Sequence, residues 1–208
     1  MTIPALKGDG ALEPVGQTLT AMALPKPVRL TDGQVALRPP ELRDVPAIVE
    51  ACQDPEIGRW TRVPRPYRKE HARAWVEAQP EEAAVGLLAV GADSDELLGS
   101  VGLIEVDLGQ RRAEAGFWTA PWARRSGVAS RALRLLARWS FEVLDLARVQ
   151  AMPHRENEAS QRALERAGFV REGLLRSYEE IKGERWDMAL FSLLAEELGA
   201  DTQSCSGN

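Results

Sequence analysis

The sequence predicts one α/β domain of the α+β kind, and three observations predict it. Segments with the two-residue period of strands alternate with segments of helical period, in the order βααβββαβαββ. Polar turns, "ADSD" and Lys182-Gly183, join several of the strands as hairpins. A chain of 208 residues, 44% hydrophobic and 27% charged, suits one core with short tails.

Residues 1–28 hold Pro4, Pro14, Pro25 and Pro27 with Gly8, Gly10 and Gly16, show no sustained period, and are expected to form an irregular arm. "QVALRPP" (34–40) reads as a strand stopped by two prolines, and "RDVPAIVEACQD" (43–54) as a helix with Asp44 as N-cap. "PYRKEHARAWVEAQP" (66–80) carries Ala74, Trp75 and Ala78 at helical spacing. "AAVGLLAVG" (83–91) and "ELLGSVGLIEVD" (96–107) form a hairpin, and "RAEAGFWTA" (112–120) a further strand. "VASRALRLLARWSFEVLD" (128–145) is an amphipathic helix: Ala129, Leu133, Leu136 and Leu144 share one face, while Arg131, Arg134, Arg138 and Glu142 share the other. "ARVQAMP" is a short strand, and "NEASQRALERAGF" a helix opened by Asn157 and closed by Gly168. "VREGLLRSYEEI" and "RWDMALFSLLAEEL" flank Lys182-Gly183 as a terminal hairpin, before a loose tail at 199–208.

Composition narrows the function classes. No apolar run approaches the length of a membrane span, so no membrane partner is expected. The first residues, "MTIPALKGDG", show neither a basic leader nor an apolar core, and Cys52 and Cys205 do not make a disulfide framework, so the expected location is cytoplasmic. A formal net charge of −5 argues against DNA as a partner. His71 and His154 lack metal-ligand spacing; both are expected at the surface, and no metal is expected.

The strongest chemical signal is "PWARRSGVAS" (121–130), at a strand-to-helix joint. The first amides of a helix have no intrahelical partner and lie at the positive end of its dipole, so they stabilise an anion such as a phosphate. Gly127 allows close backbone approach, Ala129 is small, and Arg124 and Arg125 add positive charge. No Gly-Lys-Ser/Thr or G-x-G-x-x-G pattern accompanies the loop. A charged surface loop is the competing reading of these residues alone.

Two motifs in register decide between those readings. Arg124, Gly127 and Ala129 meet an R/Q-x-x-G-x-G/A pattern, and Asn157, Ser160, Gly168 and Phe169 meet N-x-x-S…G-F. From about Arg29 to Leu198 the chain resembles the GNAT superfamily of acyl-CoA N-acyltransferases, in its RimJ/RimL-like, ribosomal-protein N-terminal acetyltransferase branch. Arg125 departs from the branch, which usually has glycine there. The resemblance implies a mixed, mostly antiparallel seven-stranded sheet, splayed between its fourth and fifth strands, with helices on both faces. It implies acetyl-CoA, or another acyl-CoA, as co-substrate: Trp118 and Thr119 would pair with pantetheine. Arg124, Arg125, Ser126, Gly127, Val128, Ala129 and Ser130 would hold the pyrophosphate, and Asn157 would close the opposite wall. The acceptor would be an amine, either a peptide N-terminus or a small molecule, and a homodimer is a common assembly of such relatives.

An α-amine, of pKa near 7.7–8.0, is about a tenth neutral at pH 7, whereas lysine is neutral roughly once in a few thousand molecules, so an α-amine needs only a modest base. By resemblance, Ser160 is the candidate proton donor to the leaving sulfur and Glu179 the candidate base, with Tyr178 a rival donor. Asp187 is a candidate second base or substrate anchor, and Trp60, Arg62 and Tyr67 are candidates for the acceptor wall. A non-catalytic acyl-CoA-binding module on the same fold is the alternative function, and a phosphate- or nucleic-acid-binding protein using the basic loop a third.

Overall fold

The structure is a computed structural model that describes residues 24–25, 29–78 and 85–198. The expected arm, apart from Leu24 and Pro25, and the expected tail lie outside those residues.

One sheet organises the chain. Its strands are β1 (Leu30–Thr31), β2 (Val35–Arg38), β3 (Val85–Gly91), β4 (Leu97–Asp107), β5 (Arg112–Thr119), β6 (Arg148–Ala151), β7 (Val170–Ile181) and β8 (Glu184–Leu194). They lie in the order β1-β2-β3-β4-β5-β6-β8-β7, and every pair is antiparallel except β5–β6. The sheet has eight strands rather than seven: Thr31 Oγ1 and the Asp32 carboxylate close a turn onto Val35, which pairs Leu30 and Thr31 back on Leu37 and Ala36. Two residues are too few to show a period in sequence.

The helices are α1 (Val45–Cys52), α2 (Pro55–Trp60), α3 (Lys69–Glu77), α4 (Val128–Leu144), α5 (Glu158–Arg166) and a terminal turn, α6 (Ala195–Leu198). Consecutive residues of β2 and β3 are buried, which requires cover on both faces of the sheet. Helix α4 lies against β2, β4, β5 and β6, while α1 packs on α3 and reaches β4. Leu133 and Leu136 of α4 are almost fully buried, and burial of that kind contributes roughly 1.5–3 kcal/mol per leucine. A second, smaller apolar cluster of Ile181, Trp186 and Met188 forms on the far half of the sheet, with Trp60, Met152 and Leu175 packed against it.

Several details depart from expectation. Helix α2 is additional; Asp54 caps it by accepting the Glu56 and Ile57 amides, and Pro55 starts it. Asp44 does not cap α1, because its carboxylate is taken by Arg38 and by the Glu41 amide. The histidines are not free surface residues: His71 Nδ1 accepts the Arg68 amide ahead of α3, and the half-buried His154 ring lies 5.3 Å from Trp60 and 4.6 Å from Trp186, centre to centre. The last expected strand ends in the helical turn Ala195–Leu198, and α3 buries Ala72 and Val76 while Ala74 and Ala78 stay exposed. Asn157 caps α5, Gly168 follows it at φ 94°, and Lys182 and Gly183 turn the last hairpin at φ 55° and 83°.

Candidate active site

The site begins where the sheet divides. Strands β5 and β6 pair only from Arg112–Glu114 to Arg148–Gln150; past that point β5 continues to Thr119 while β6 ends at Ala151. From Ala115 to Thr119, β5 keeps only β4 as a ladder neighbour, so the backbone groups on its other edge face an open wedge. Gly116, Phe117, Trp118 and Thr119 are accordingly half-buried.

At one end of the wedge is the start of α4. Gly127, at φ 80°, occupies its N-cap position with no side-chain cap, and the first helical hydrogen bond is Arg131 N–H to the Gly127 carbonyl at 3.1 Å. The Val128, Ala129 and Ser130 amides therefore lack helical acceptors. A Cβ built on Gly127 would meet nothing within 4 Å, so the space before these amides is open. A channel of about 420 Å³ runs here, bounded by Thr119, Arg124, Arg125, Ala129, Asn157 and Arg166 among others. Arg125 sits at φ 63°, a left-handed conformation that glycine adopts at no steric cost, which gives a physical reason for the glycine that the resemblance implies at this place. Arg124 Nη2 is bound to Asp54 Oδ1 at 2.6 Å, and Ser126 Oγ donates to the Ala123 carbonyl at 2.7 Å. Ser126 thus shapes the turn, and it does not line the channel.

At the other end is a cleft of about 330 Å³ whose floor is β4 and β5 and whose walls come from residues 60–62, Trp75, β7 and β8. Two carboxylates face it, Glu114 and Glu179. A bulge inserts Ile104 into β4 and sets Glu105 directly opposite Glu114 on the neighbouring strand. Burial pushes the Glu114 carboxyl up and the Glu105 charge adds to the rise, while Arg62 offsets part of it; the group titrates at about 7. Glu179 is ion-paired with Arg62. Asn157 and Ser160 border both the channel and the cleft. Asn157 is buried, with Oδ1 accepting the Ser160 amide at 3.1 Å, and the Ser160 hydroxyl makes no hydrogen bond among the described residues.

Other candidates lie elsewhere. Tyr178 is 52% exposed and borders neither space. The strand bulges between Leu175 and Glu179, with Ser177 at φ 50°, and adjacent strand residues face opposite sides, so Glu179 turns inward and Tyr178 outward. Asp187 accepts the Ser177 amide at 2.8 Å and pairs with Arg155 at 3.0 Å; it braces that bulge. Tyr67 packs on the main core, where burial and the nearby Cys52 push its hydroxyl up to about 12. Trp60 and Arg62 do line the cleft. Among the described residues no group of three or more His, Cys, Asp or Glu could hold a metal ion.

Glu114 was not among the sequence candidates. It shares a strand face with Gly116 and Trp118, at even spacing, so the period of "EAGFW" could have paired it with Trp118. The His154–Trp186 contact had no such signal.

This geometry, a split sheet leading from an uncapped helix start to a pair of carboxylates, can be set beside known proteins. Residues 34–170 match the family model described as the acetyltransferase (GNAT) domain. The chain is 30% identical over 168 residues to the N-acetyltransferase p20 of Bacillus licheniformis, an alignment spanning 79% of this chain and 94% of that protein. It superposes on a GCN5-related N-acetyltransferase from Brucella melitensis with a TM-score of 0.73 at 25% identity, covering 84% of this chain and 83% of the other. It superposes on Mycobacterium smegmatis RimJ in complex with CoA-disulfide with a TM-score of 0.69 at 26% identity, covering 82% and 87%. A family match over residues 34–170 of the 208, joined to a relative 30% identical along almost its whole length, identifies the chain as an N-acetyltransferase of the GNAT family.

Proposed function

We propose that the chain moves acetyl from acetyl-CoA directly to a primary amine, either a protein N-terminal α-amine or a small amine, with residues 29–198 as the acyltransferase unit. The observation that carries this reading is the continuity of the two spaces: Asn157, Ser160 and Trp60 border both the channel at the start of α4 and the cleft that holds Glu114.

Acetyl-CoA would supply the acetyl group as a thioester. The Val128, Ala129 and Ser130 amides with Arg125 would hold its diphosphate, and the free edge of β5 at Trp118 and Thr119 would pair with its pantetheine arm. Glu114, partly ionised near neutral pH, accepts the proton that an ammonium must lose before its nitrogen can attack the carbonyl carbon. A β5 backbone N–H stabilises the charge that develops on the carbonyl oxygen. As the C–N bond forms and the C–S bond breaks, the Ser160 hydroxyl gives its proton to the departing sulfur and regains one from solvent. Glu179, across the cleft and paired with Arg62, anchors the cationic acceptor.

The test is release of free CoA thiol from acetyl-CoA with a panel of N-terminal peptides, polyamines and aminoglycosides. At least one amine should stimulate release, and Ser160→Ala should lower kcat by about a hundredfold with acceptor KM little changed. Stimulation by none of them would overturn the reading. Occupancy of the α4 start is checked separately with Ala129→Glu. An acidic residue in the first turn favours the helix, whereas a carboxylate at the mouth of the cradle repels a diphosphate. The expected result is a CoA Kd raised by about a hundredfold or more in calorimetry, at an unchanged or slightly higher Tm.

A further inference from the structure

Residues 54–63 carry α2 and the turn after it, and they bridge the division of the sheet. Trp60 and Thr61 border both the channel and the cleft, so this one segment forms a wall of each. It is fastened at separate points. Asp54 holds Arg124 in the loop ahead of α4, the Trp60 ring lies against His154 and Trp186, and Arg62 pairs with Glu179. Ile57 is buried in the main core and Arg65 Nη2 donates to the Pro55 carbonyl, and a further attachment comes from the tip of the last hairpin: Lys182 Nζ donates to the Gly58 carbonyl at 2.6 Å and to the Val63 carbonyl at 3.0 Å.

That attachment is not explained by the needs of the hairpin. Lys182 sits at φ 55° ahead of Gly183 at φ 83°, a pair of left-handed residues for which asparagine-glycine is the favoured sequence. A lysine there costs turn propensity, while its ammonium reaches across to another part of the fold. The Gly58 carbonyl lies in the last turn of α2, where carbonyls lack helical donors and a cation is stabilised. Thr61 Oγ1 satisfies the neighbouring Ile57 carbonyl from within the segment, so Lys182 is the external ligand of this helix end.

We propose that Lys182 is a positioning residue, whose ammonium pins residues 54–63 across the mouth of the cleft and so sets the wall against which the amine acceptor docks. This rests on the acetyl-transfer reading for the identity of the acceptor, but not for the pinning itself. The floor of the cleft, with Glu114, belongs to β4 and β5 and does not depend on the pin. Loss of the pin therefore loosens acceptor binding and spares the chemical step.

Lys182→Asn is the informative variant, because it keeps or improves the turn while removing the long donor; Lys182→Arg keeps a long multiple donor. Hydrogen exchange of the full chain should show the amides of 54–63 exchanging roughly tenfold faster in Lys182→Asn, with the β7–β8 ladder still protected. With an amine that the wild-type protein acetylates, acceptor KM should rise roughly tenfold while kcat holds, and Lys182→Arg should restore both readouts. Unchanged exchange in 54–63, or exchange that rises equally along β7 and β8, overturns the pin. Faster exchange in 54–63 with an unchanged acceptor KM overturns the docking role. If the wild-type protein acetylates no amine, the acetyl-transfer reading and the docking role fail together, and the exchange result still decides the pin.

Discussion

Replacing Arg38 by methionine is expected to lower folding stability by about 3–5 kcal/mol at about pH 7, measured by urea denaturation, which is a large share of what holds a domain folded. Arg38 is buried on β2. Its Nη1 and Nη2 donate to Asp44 Oδ2 and Oδ1, both at 2.8 Å, its Nε donates to Asp95 Oδ1 at 3.0 Å, and Nη1 also reaches the Pro39 carbonyl at 3.1 Å. One side chain thus ties β2 to the entry of α1 and to the turn between β3 and β4. Burial alone would raise the Asp44 carboxyl; the Arg38 hydrogen bonds, the Glu41 amide and the charges of Arg38 and Arg43 outweigh burial and hold it below its ordinary value. Methionine fills much of the volume but leaves the Asp44 carboxylate buried and short of partners. The sign with pH follows. In the wild-type protein the depressed carboxyl contributes stability above its unfolded value, which is lost only as pH falls through the lower folded value. Without Arg38, burial pushes the same carboxyl up, so the variant regains stability by taking a proton in mild acid. The gap between the two proteins should narrow as pH falls. A loss below about 1 kcal/mol at neutral pH, the scale of a surface pair, would show that Arg38 is not the tie described.

Much of this arrangement was readable because local chemistry and tertiary need coincided. Asn157 caps α5, and Gly168 at φ 94° ends it, as their residue types require. The apolar face of α4 is the buried one, since Leu133, Leu136 and Leu144 recur at helical spacing. What escaped was set by competing partners or by elements too short to show a period. Asp44 has the residue type and position of a cap, but a buried arginine six residues earlier offers more than an amide does, and the cap is forgone. Helix α2 has its own signal in "DPEIGRW", Asp before Pro at the first turn, but six residues are too short to show a period. The loop proposed to hold the cofactor stood out in the sequence because glycine and small residues mark where backbone can be approached closely. The proposed acceptor cleft stood out less: whether Glu179 or Tyr178 faces inward depends on the bulge at Ser177, and a bulge reverses the alternation on which strand reading rests.

Glu114→Gln should separate catalysis from structure more sharply than any other single change. The expected loss in kcat is about 10²–10⁴-fold, the range of a positioned general base, with the Kd for CoA unchanged. In the wild-type protein, activity should rise with pH through an apparent pKa of about 7 as Glu114 ionises, and that limb should vanish in the variant. Stability should move the other way. The folded pKa lies above the unfolded one, so Glu114 favours the fold while protonated, and that contribution is lost as pH rises from about 4.5 through about 7. Above that window the wild-type protein keeps a half-buried carboxylate opposite Glu105, whereas glutamine places no charge there. Glu114→Gln should therefore show a Tm at or above the wild-type value in mildly alkaline buffer, while it transfers acetyl far more slowly. A purely structural glutamate cannot give that combination, because its removal would cost stability and activity together. If kcat falls less than about threefold and the limb near pH 7 persists, the base lies elsewhere, and Glu179 across the cleft becomes the group to titrate.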